Sequence, residues 1–268
     1  MILNVVAKSI AINHEKPVPK INIGGTGISD ITLIETINLL DEWIARQEKK
    51  RVCVTPVNNV VWASNNPPLK EIYNSSDLTL CDGVPLIWAS KFLGKQTLRG
   101  RVTGLDLLPQ FIERCYQKKY SMFFLGAAEG VAEQYKTELE KQYPGIQIKG
   151  VYSPPYAEQF SEEENQKMVA MINAAKPDIL WVSLTAPKQD FWIHQHIDQL
   201  NSIINIGVGG ALDVAAGKFN RAPVWMQKNG LEWFYRFTKE PKRLFNRYFI
   251  EAPAIVPLLL KQKLAKNV

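Results

Sequence analysis

Short apolar runs alternate with amphipathic stretches along most of the chain, and each kind of stretch predicts a different element. The runs have the length of strands and are mostly apolar, as expected for strands buried on both faces of a sheet. The amphipathic stretches repeat apolar residues every three or four positions, as in helices that pack by one face. The predicted strands are residues 51–57, 77–81, 120–125, 146–151, 179–184 and 203–208. The predicted helices are residues 31–47, 84–94, 105–118, 131–142 and 162–175.

This alternation predicts an α/β protein with a parallel sheet flanked by helices. Residues 1–17 are predicted to form a further strand and not a signal peptide, because the stretch lacks the apolar length and the small-residue cleavage site of a signal peptide. Thr32 or Ser29 is the predicted cap of the first helix. The strand-like pattern ends after residue 211. We therefore predict a main domain over residues 1–218 and a helical appendage over residues 219–268, which folds back on the domain or lies on a membrane.

The composition adds an uneven distribution of charge. The chain has 268 residues, of which 46% are apolar, enough to form one substantial core. No run of 18 or more apolar residues occurs, so no segment is predicted to span a bilayer. From Lys218 onward eleven Lys and Arg stand against three Glu, a net +8, so residues 1–217 carry −2 of the total +6. The basic segment implies an acidic partner: an anionic lipid, a pyrophosphate or a nucleic acid.

Cysteine and histidine do not indicate a metal site. The three cysteines have no metal-like spacing, and two of them lie in apolar runs, which favours reduced core thiols in a cytosolic protein. His194 and His196 are two positions apart, and that spacing does not place both on one face of a helix. We therefore predict no metal site.

Polar or glycine-rich turns follow several predicted strands, at the edge of a parallel sheet where ligands bind. Gly126 and Gly130 enclose a strand-to-helix turn whose free N–H groups suit a phosphate. Glycines at such a tight turn can also be present only because a side chain would not fit there. Asp82, before Gly83, is either a general base or a helix cap. Asn58 follows another strand and is either a sugar ligand or an ordinary turn residue.

Two further turns complete this set. Residues 185–190 (TAPKQD) follow one strand, and residues 207–213 (GVGGALD) follow the next along the chain. Consecutive glycines allow the backbone to approach a ligand closely, and Asp213 could accept hydrogen bonds from ribose or sugar hydroxyls. Any one of these turns could be structural, but together they predict a nucleotide or sugar cleft.

These turns belong to a longer series of motifs that resembles the WecG/TagA/CpsF glycosyltransferase family, also called glycosyltransferase family 26. The resemblance extends in order from about Asn22 to Tyr248, with its most specific blocks at Gly207–Gly217, Arg221–Pro223 and Leu231–Arg243. The motifs are TPVN, LxxxDGVPLIW, RVTGLDL, FFLGA, LTAPKQDxW, GVGGALDxxAG, RAPxW and GLEWxYRxxxEPxR.

The resemblance implies a Rossmann-like parallel sheet and an inverting, metal-independent transfer that needs no cofactor. The implied donor is a UDP-sugar of the N-acetylmannosamine, mannosaminuronate or glucose type. The implied acceptor is a sugar on a polyprenyl diphosphate, in the synthesis of teichoic acid, capsule or another cell-surface polysaccharide. The implied location is the cytoplasm, with the appendage at the inner face of the cell membrane. A homo-oligomer is also compatible with the resemblance.

The resemblance also assigns roles to individual residues. Asp82 is the implied base, and the appendage supplies Arg236 and Arg243 to the leaving group. The residues implied for substrate binding are Thr55, Asn58, Arg101 and Gln189. Those predicted for nucleotide binding are Gly126, Gly209, Gly210 and Asp213. No Asp-x-Asp pair is present to bind a metal, so arginines are expected to neutralise the departing diphosphate.

Two other functions stay open at the level of sequence. The chain could be a nucleotide-sugar-binding or membrane-scaffolding protein that keeps the fold without catalysis, although Asp82, Gln189 and Asp213 argue against this. The basic appendage could instead bind nucleic acid. Its aromatic residues lie inside a helix-like run, which suits packing or a membrane interface better than base stacking. We therefore predict no nucleic-acid partner.

Overall fold

The computed structural model describes residues 17–94 and 96–265. Six parallel strands form its central sheet: β3 (Lys50–Pro56), β4 (Leu78–Asp82), β5 (Met122–Gly126), β6 (Ile148–Tyr152), β7 (Ile179–Ser183) and β8 (Ile204–Gly207). Their order across the sheet is β4-β3-β8-β7-β5-β6. Helices flank the sheet, which confirms the predicted α/β class. Nearly all of the stretch predicted as an N-terminal strand lies outside the described residues.

Nine helices accompany the strands within the described part of the main domain. Their bounds are α1 (Leu33–Ala45), α2 (Val57–Ser64), α3 (Pro67–Ser75), α4 (Val84–Leu93), α5 (Gly104–Lys118), α6 (Val131–Gln142), α7 (Glu162–Ala175), α8 (Lys188–His196) and α9 (Ala211–Ala215).

Alternation along the strands places the core on both faces of the sheet. Phe124 and Trp181 face one side, where they join a cluster that includes apolar residues of α1, α5 and α6. Phe123 and Leu180 face the other side, against α7 and α8. Strands β5 and β7 are therefore apolar on both faces, as the sequence pattern requires.

Local signals account for the start of α1. Thr32 is its cap, and the Thr32 backbone N–H donates to the Glu35 carboxylate at 2.9 Å while the Thr32 hydroxyl accepts from the Glu35 N–H at 3.4 Å. This capping box satisfies two N–H groups that the first turn leaves free. Ser29, the other predicted cap, instead accepts a hydrogen bond from the Thr79 N–H at 3.0 Å.

Several elements were not predicted from the sequence. Strands β1 (Lys20–Ile23) and β2 (Thr26–Ser29) form an antiparallel hairpin separate from the central sheet. Helices α2, α3, α8 and α9 were assigned to turns or left unassigned. Helix α2 begins directly after β3 and is buried on nearly every side, so its sequence VNNVVWAS shows no one-sided apolar repeat.

The appendage is helical, as predicted, and folds back on the main domain. Its helices are α10 (Val224–Lys228), α11 (Glu232–Lys239), α12 (Pro241–Phe245) and α13 (Ile255–Ala265), with π and 3₁₀ turns over Asn246–Glu251 and Ala252–Ala254. Ile255 and Leu259 are buried in a cluster with residues of α2 and α4. No helix within the described ranges is both long and apolar enough to cross a membrane.

Candidate active site

A cavity of about 640 Å³ opens at the carboxyl edge of the sheet. Its floor comes from the turns after β3, β4, β7 and β8, which the strand order places side by side. Its roof comes from the appendage, including residues of α11 and the π turn. Because parallel strands end at the same edge, four turns that are distant in sequence surround one space.

Nine of the eleven predicted site residues line this cavity. They are Asp82, Arg236, Arg243, Asn58, Arg101, Gln189, Gly209, Gly210 and Asp213. Thr55 and Gly126 are not among the lining residues. Thr55 is fully buried within β3, where its hydroxyl donates to the Cys53 carbonyl oxygen at 3.4 Å.

Gly126 has a steric role at the end of β5. Its φ of +102° is unfavourable for other residues, and a Cβ atom at this position would lie 2.4 Å from the Ser183 carbonyl oxygen. Strand β5 also lies outside the four adjacent strands whose turns form the cavity floor, on the other side of β7. The lack of space for a side chain therefore explains the glycine at position 126, and no bound phosphate is needed to explain it.

A sharp turn directs the chain away from β4 immediately after Asp82. Gly83 has a φ of +116°, which only glycine adopts readily, and it is the cap residue of α4. No side chain donates or accepts a capping hydrogen bond at this helix start. Asp82 is thus not a helix cap in the structure, and its carboxylate lies at the cavity wall.

The electrostatics of Asp82 combine burial with nearby positive charge. Burial raises the pKa of the Asp82 carboxyl above its ordinary value, while the guanidinium groups of Arg247, Arg236 and Arg101 oppose that shift. The carboxylate forms no hydrogen bond to another described residue. A carboxylate that faces a cavity without a hydrogen-bond partner is available to accept a proton from a ligand.

Three arginines of the appendage reach the cavity. The Arg236 side chain makes no hydrogen bond within the described part of the chain, and its guanidinium passes close to Gly210, 3.7 Å from where a Cβ atom would be. Arg243 is exposed and forms a two-bond ion pair with Glu240, at 2.8 and 2.6 Å. Arg247 is half-buried and donates its Nε–H to the Asn58 side-chain oxygen at 3.2 Å.

Arg247 was missed by sequence reasoning. It lies beyond the Leu231–Arg243 block that carries the resemblance, in a π turn that no local pattern indicated. Burial lowers the pKa of its guanidinium, and Asp82 opposes that effect. The available signal was only the excess of arginine in the appendage, which does not distinguish residues that face the cavity from those that face solvent.

Gln189 organises the glycine-rich turn after β8. It is buried at the start of α8, and its side-chain oxygen accepts the Gly209 N–H at 2.9 Å. A Cβ atom on Gly207 would lie 2.8 Å from the Gln189 amide nitrogen, so the glycine is needed for this contact. Gln189 therefore fixes the backbone next to the cavity, in addition to lining it.

An ion-pair cluster joins the appendage to the main domain. Arg221 donates to the Glu232 carboxylate at 2.8 Å and to the Asp106 carboxylate at 2.5 Å. Arg101 donates to the other oxygen of Asp106 at 3.3 Å and lies 3.9 Å from Glu232. Because Asp106 belongs to α5 and Glu232 to α11, the cluster holds α11 over the cavity.

Replacing Arg221 with Met should loosen this attachment. The buried carboxylate of Glu232 and the half-buried carboxylate of Asp106 would lose a shared partner, at a cost of roughly 1–2 kcal/mol, between the values for exposed and buried ion pairs. Hydrogen exchange should become faster over residues 231–250 and stay unchanged in the central sheet. Arg114→Met, which breaks the ion pair with Asp41 away from the appendage, is the matched control. Unchanged exchange in residues 231–250 would show that the cluster does not hold the appendage.

The chain is similar in sequence to known proteins over most of its length. The profile of the glycosyl transferase WecG/TagA/CpsF family matches residues 21–268. A protein of Bacillus spizizenii named N-acetylglucosaminyldiphosphoundecaprenol N-acetyl-beta-D-mannosaminyltransferase is 31% identical over 237 residues, 88% of this chain and 89% of the relative. A protein of the same name from Staphylococcus aureus is 27% identical over 88% of this chain and 91% of its own. The chain therefore belongs to the WecG/TagA/CpsF family and is a glycosyltransferase.

Proposed function

We propose that this protein transfers N-acetylmannosamine from its UDP derivative to an N-acetylglucosamine carried on a polyprenyl diphosphate, with inversion at the anomeric carbon and without a metal ion. The names of the two relatives support this choice within the sugars that the sequence analysis left open. The observation that carries the proposal is the Asp82 carboxylate, free of hydrogen bonds to described residues, in a cavity that three arginines of the appendage also line. Such a step would serve the synthesis of a cell-envelope polymer.

Asp82 acts as the general base in this proposal. An acceptor hydroxyl attacks the anomeric carbon of the donor, and its proton passes to the Asp82 carboxylate. The bond between that carbon and the phosphate oxygen breaks, and its electron pair leaves with UDP. Each event is matched by a group on the cavity wall: Asp82 for the proton, and the appendage arginines for the diphosphate.

The arginines stabilise the departing diphosphate. Guanidinium groups bind phosphate oxygens through two parallel hydrogen bonds, and they keep their charge at all relevant pH values. Arg236 is well suited because no described residue occupies its hydrogen-bond donors. A single hydrogen-bond donor directed at developing charge stabilises the transition state by about 3 kcal/mol. Arg243 would join it on rotation away from Glu240.

The remaining lining residues would bind the two substrates. Gly209, Gly210 and Asp213 form the turn after β8, where backbone N–H groups and a carboxylate suit a nucleotide. Asn58 follows β3, the strand that pairs with β4 at Asp82, and the charge of Arg101 acts on the Asp82 carboxyl, so both residues suit an acceptor sugar close to the base. By closing the roof, the appendage would also limit the access of water, which competes with the acceptor.

The outer surface of the appendage suits an anionic membrane. Val256, Leu260 and Leu264 are four positions apart on α13, so they form one exposed apolar stripe next to the face that buries Ile255 and Leu259. Trp88 and Phe92 of the adjoining α4 are also exposed. Exposed lysines accompany this surface at positions 91, 261 and 263. We therefore place the protein at the cytoplasmic face of the membrane, where a polyprenyl-linked acceptor would be found.

Placing a carboxylate in the α13 stripe should weaken membrane binding. Leu260→Glu is expected to reduce binding to phosphatidylglycerol vesicles at least tenfold, because it removes buried apolar area and adds a repelled charge. Ile34→Glu, at an exposed apolar position on α1, is the matched control. Cosedimentation with vesicles at low and high salt measures the effect. Equal losses in both variants would show that the α13 stripe is not the docking surface.

A donor panel tests the proposed reaction. Purified protein is incubated with a short-chain prenyl diphosphate carrying N-acetylglucosamine and with one UDP-sugar at a time, in the presence of excess EDTA. The proposal expects UDP release and a disaccharide product with UDP-N-acetylmannosamine, and much slower release with UDP-N-acetylglucosamine or UDP-glucose. Faster transfer from another donor would replace the sugar assignment, and complete inhibition by EDTA would overturn metal independence.

A further inference from the structure

A chain of four hydrogen bonds runs from the cavity wall into the interior. Arg247 donates to the Asn58 oxygen at 3.2 Å, and the Asn58 amide donates to the Asn59 oxygen at 3.2 Å. The Asn59 amide donates to the Tyr73 hydroxyl at 2.9 Å, and that hydroxyl donates to the Asp190 carboxylate at 3.0 Å. Only Arg247 and Asn58 line the cavity, and the other three residues lie behind its wall.

The two ends of this chain fix the direction of every bond in it. Arg247 can only donate, and an ionised Asp190 can only accept. Each of the three residues between them accepts one hydrogen bond and donates the next. Reversing either asparagine amide would place donor against donor or acceptor against acceptor at its neighbours. The buried carboxylate at one end therefore determines which atom Asn58 presents to Arg247 at the other end.

Asp190 is costly to bury, and its surroundings do little to offset that cost. The side chain is fully buried, and its second oxygen forms no hydrogen bond to any described residue. Burial raises the pKa of this carboxyl to about 7, an effect that the Tyr73 hydroxyl, the Cys53 thiol and the Arg51 guanidinium only partly oppose. An apolar residue of similar size would avoid this penalty, so stability alone does not explain a carboxylate here.

We infer that Asp190 is a positioning residue, which acts through Tyr73 and Asn59 to orient Asn58 and Arg247 at the cavity wall. This role rests on the transfer proposed above, because Arg247 lines the same cavity as Asp82 and its charge acts on the Asp82 carboxyl. A group that is misplaced by about 1 Å in an active site can cost up to a hundredfold in rate. Asp190 itself does not line the cavity and is not a catalytic residue.

Replacing Asp190 by two different residues separates this role from a structural one. Asp190→Leu removes the terminal acceptor but also the buried charge, so its Tm should stay close to that of the wild type at pH 8 while kcat falls about tenfold. Asp190→Asn keeps an oxygen that can accept from Tyr73, so it should restore most of the lost kcat. The donor KM should change little in either variant. A purely structural role predicts instead that kcat follows Tm.

A double-mutant cycle tests whether the effect passes through Asn58. In an Asn58→Ala background the relay is already cut, so adding Asp190→Leu should cause no further loss of kcat. Three results would each overturn the inference. The losses of kcat in Asn58→Ala and Asp190→Leu could multiply in the double variant, Asp190→Leu could keep the full kcat of the wild type, or Asp190→Asn could fail to recover kcat. If Asp190→Leu does not fold, Tyr73→Phe, which removes only the bridging hydroxyl, must show the same loss and the same lack of additivity.

A spectroscopic readout keeps the inference testable even if the proposed substrates are wrong. The Nε–H signal of Arg247 is assigned by its disappearance in Arg247→Lys and then followed by NMR in protein without ligand. We expect this signal to shift and to exchange faster in Asp190→Leu but not in Asp190→Asn. An unchanged signal in Asp190→Leu would overturn the relay, whereas an inactive wild type with the expected NMR changes would overturn only the substrate assignment.

Discussion

Replacing Asp82 with Asn should lower kcat by about 10²–10⁴-fold, the usual contribution of a general base. The amide has the same shape and cannot accept the proton, so the KM for the donor and the Tm should change little. The wild-type rate should fall as the pH is lowered through the pKa of Asp82, because only the ionised carboxylate is a base. Burial raises that pKa above its ordinary value. The acidic limb of the rate profile should be absent from the variant.

The control for this prediction is Asp198→Asn, the same change at an exposed position. Initial rates of UDP release with saturating acceptor provide the comparison, and thermal unfolding verifies the fold of both variants. Near-normal turnover in Asp82→Asn would exclude Asp82 as the base. A large loss in Asp198→Asn would show that the assay reports something other than the cavity.

Replacing Arg236 with Ala should be the most damaging change within the appendage, with a loss of about a hundredfold in kcat. No described residue accepts a hydrogen bond from its side chain, so the guanidinium donors are available to a ligand. Arg236→Lys should recover only part of the rate, because an ammonium group cannot form the two parallel bonds of a guanidinium. Affinity for UDP, measured by calorimetry, should also fall, since the product carries the diphosphate.

Lys239→Met, one turn further along α11 and exposed, is the matched control for Arg236→Ala. A water-soluble acceptor with a short prenyl chain excludes effects on membrane binding from this comparison. If Arg236→Ala retained the kcat and the UDP affinity of the wild type, the appendage would lose its proposed role in catalysis and keep only the proposed role in membrane docking.

The sequence predicted the central sheet well because its signals are local. Strands such as β5 and β7 are apolar runs that end at glycine or polar residues, and the observed bounds differ from the predicted ones by no more than two residues. The hairpin β1–β2 escaped prediction because its strands have only four residues each and are joined by Gly24 and Gly25. Helix α2 escaped because burial on all sides removes the polar face that marks a helix.

The candidate site was predictable where it depends on strand ends and not where it depends on tertiary packing. The turns after β4 and β8 could be placed at one edge because parallel strands require it. Arg247 could not, since its position depends on how the appendage folds back over the sheet. Nor could Asp190, because the resemblance assigned its neighbour Gln189 and no local pattern connects α8 to Tyr73 on α3.

The most direct test of the account is the structure of the Asp82→Asn variant with UDP-N-acetylmannosamine and a short-chain acceptor bound together. We expect the acceptor hydroxyl to lie about 2.6–3.2 Å from the substituted side chain at position 82 and to face the anomeric carbon. We also expect the Arg236 guanidinium to contact the diphosphate. An acceptor hydroxyl beside a different base, or a diphosphate held by a divalent ion with Arg236 directed elsewhere, would contradict the account.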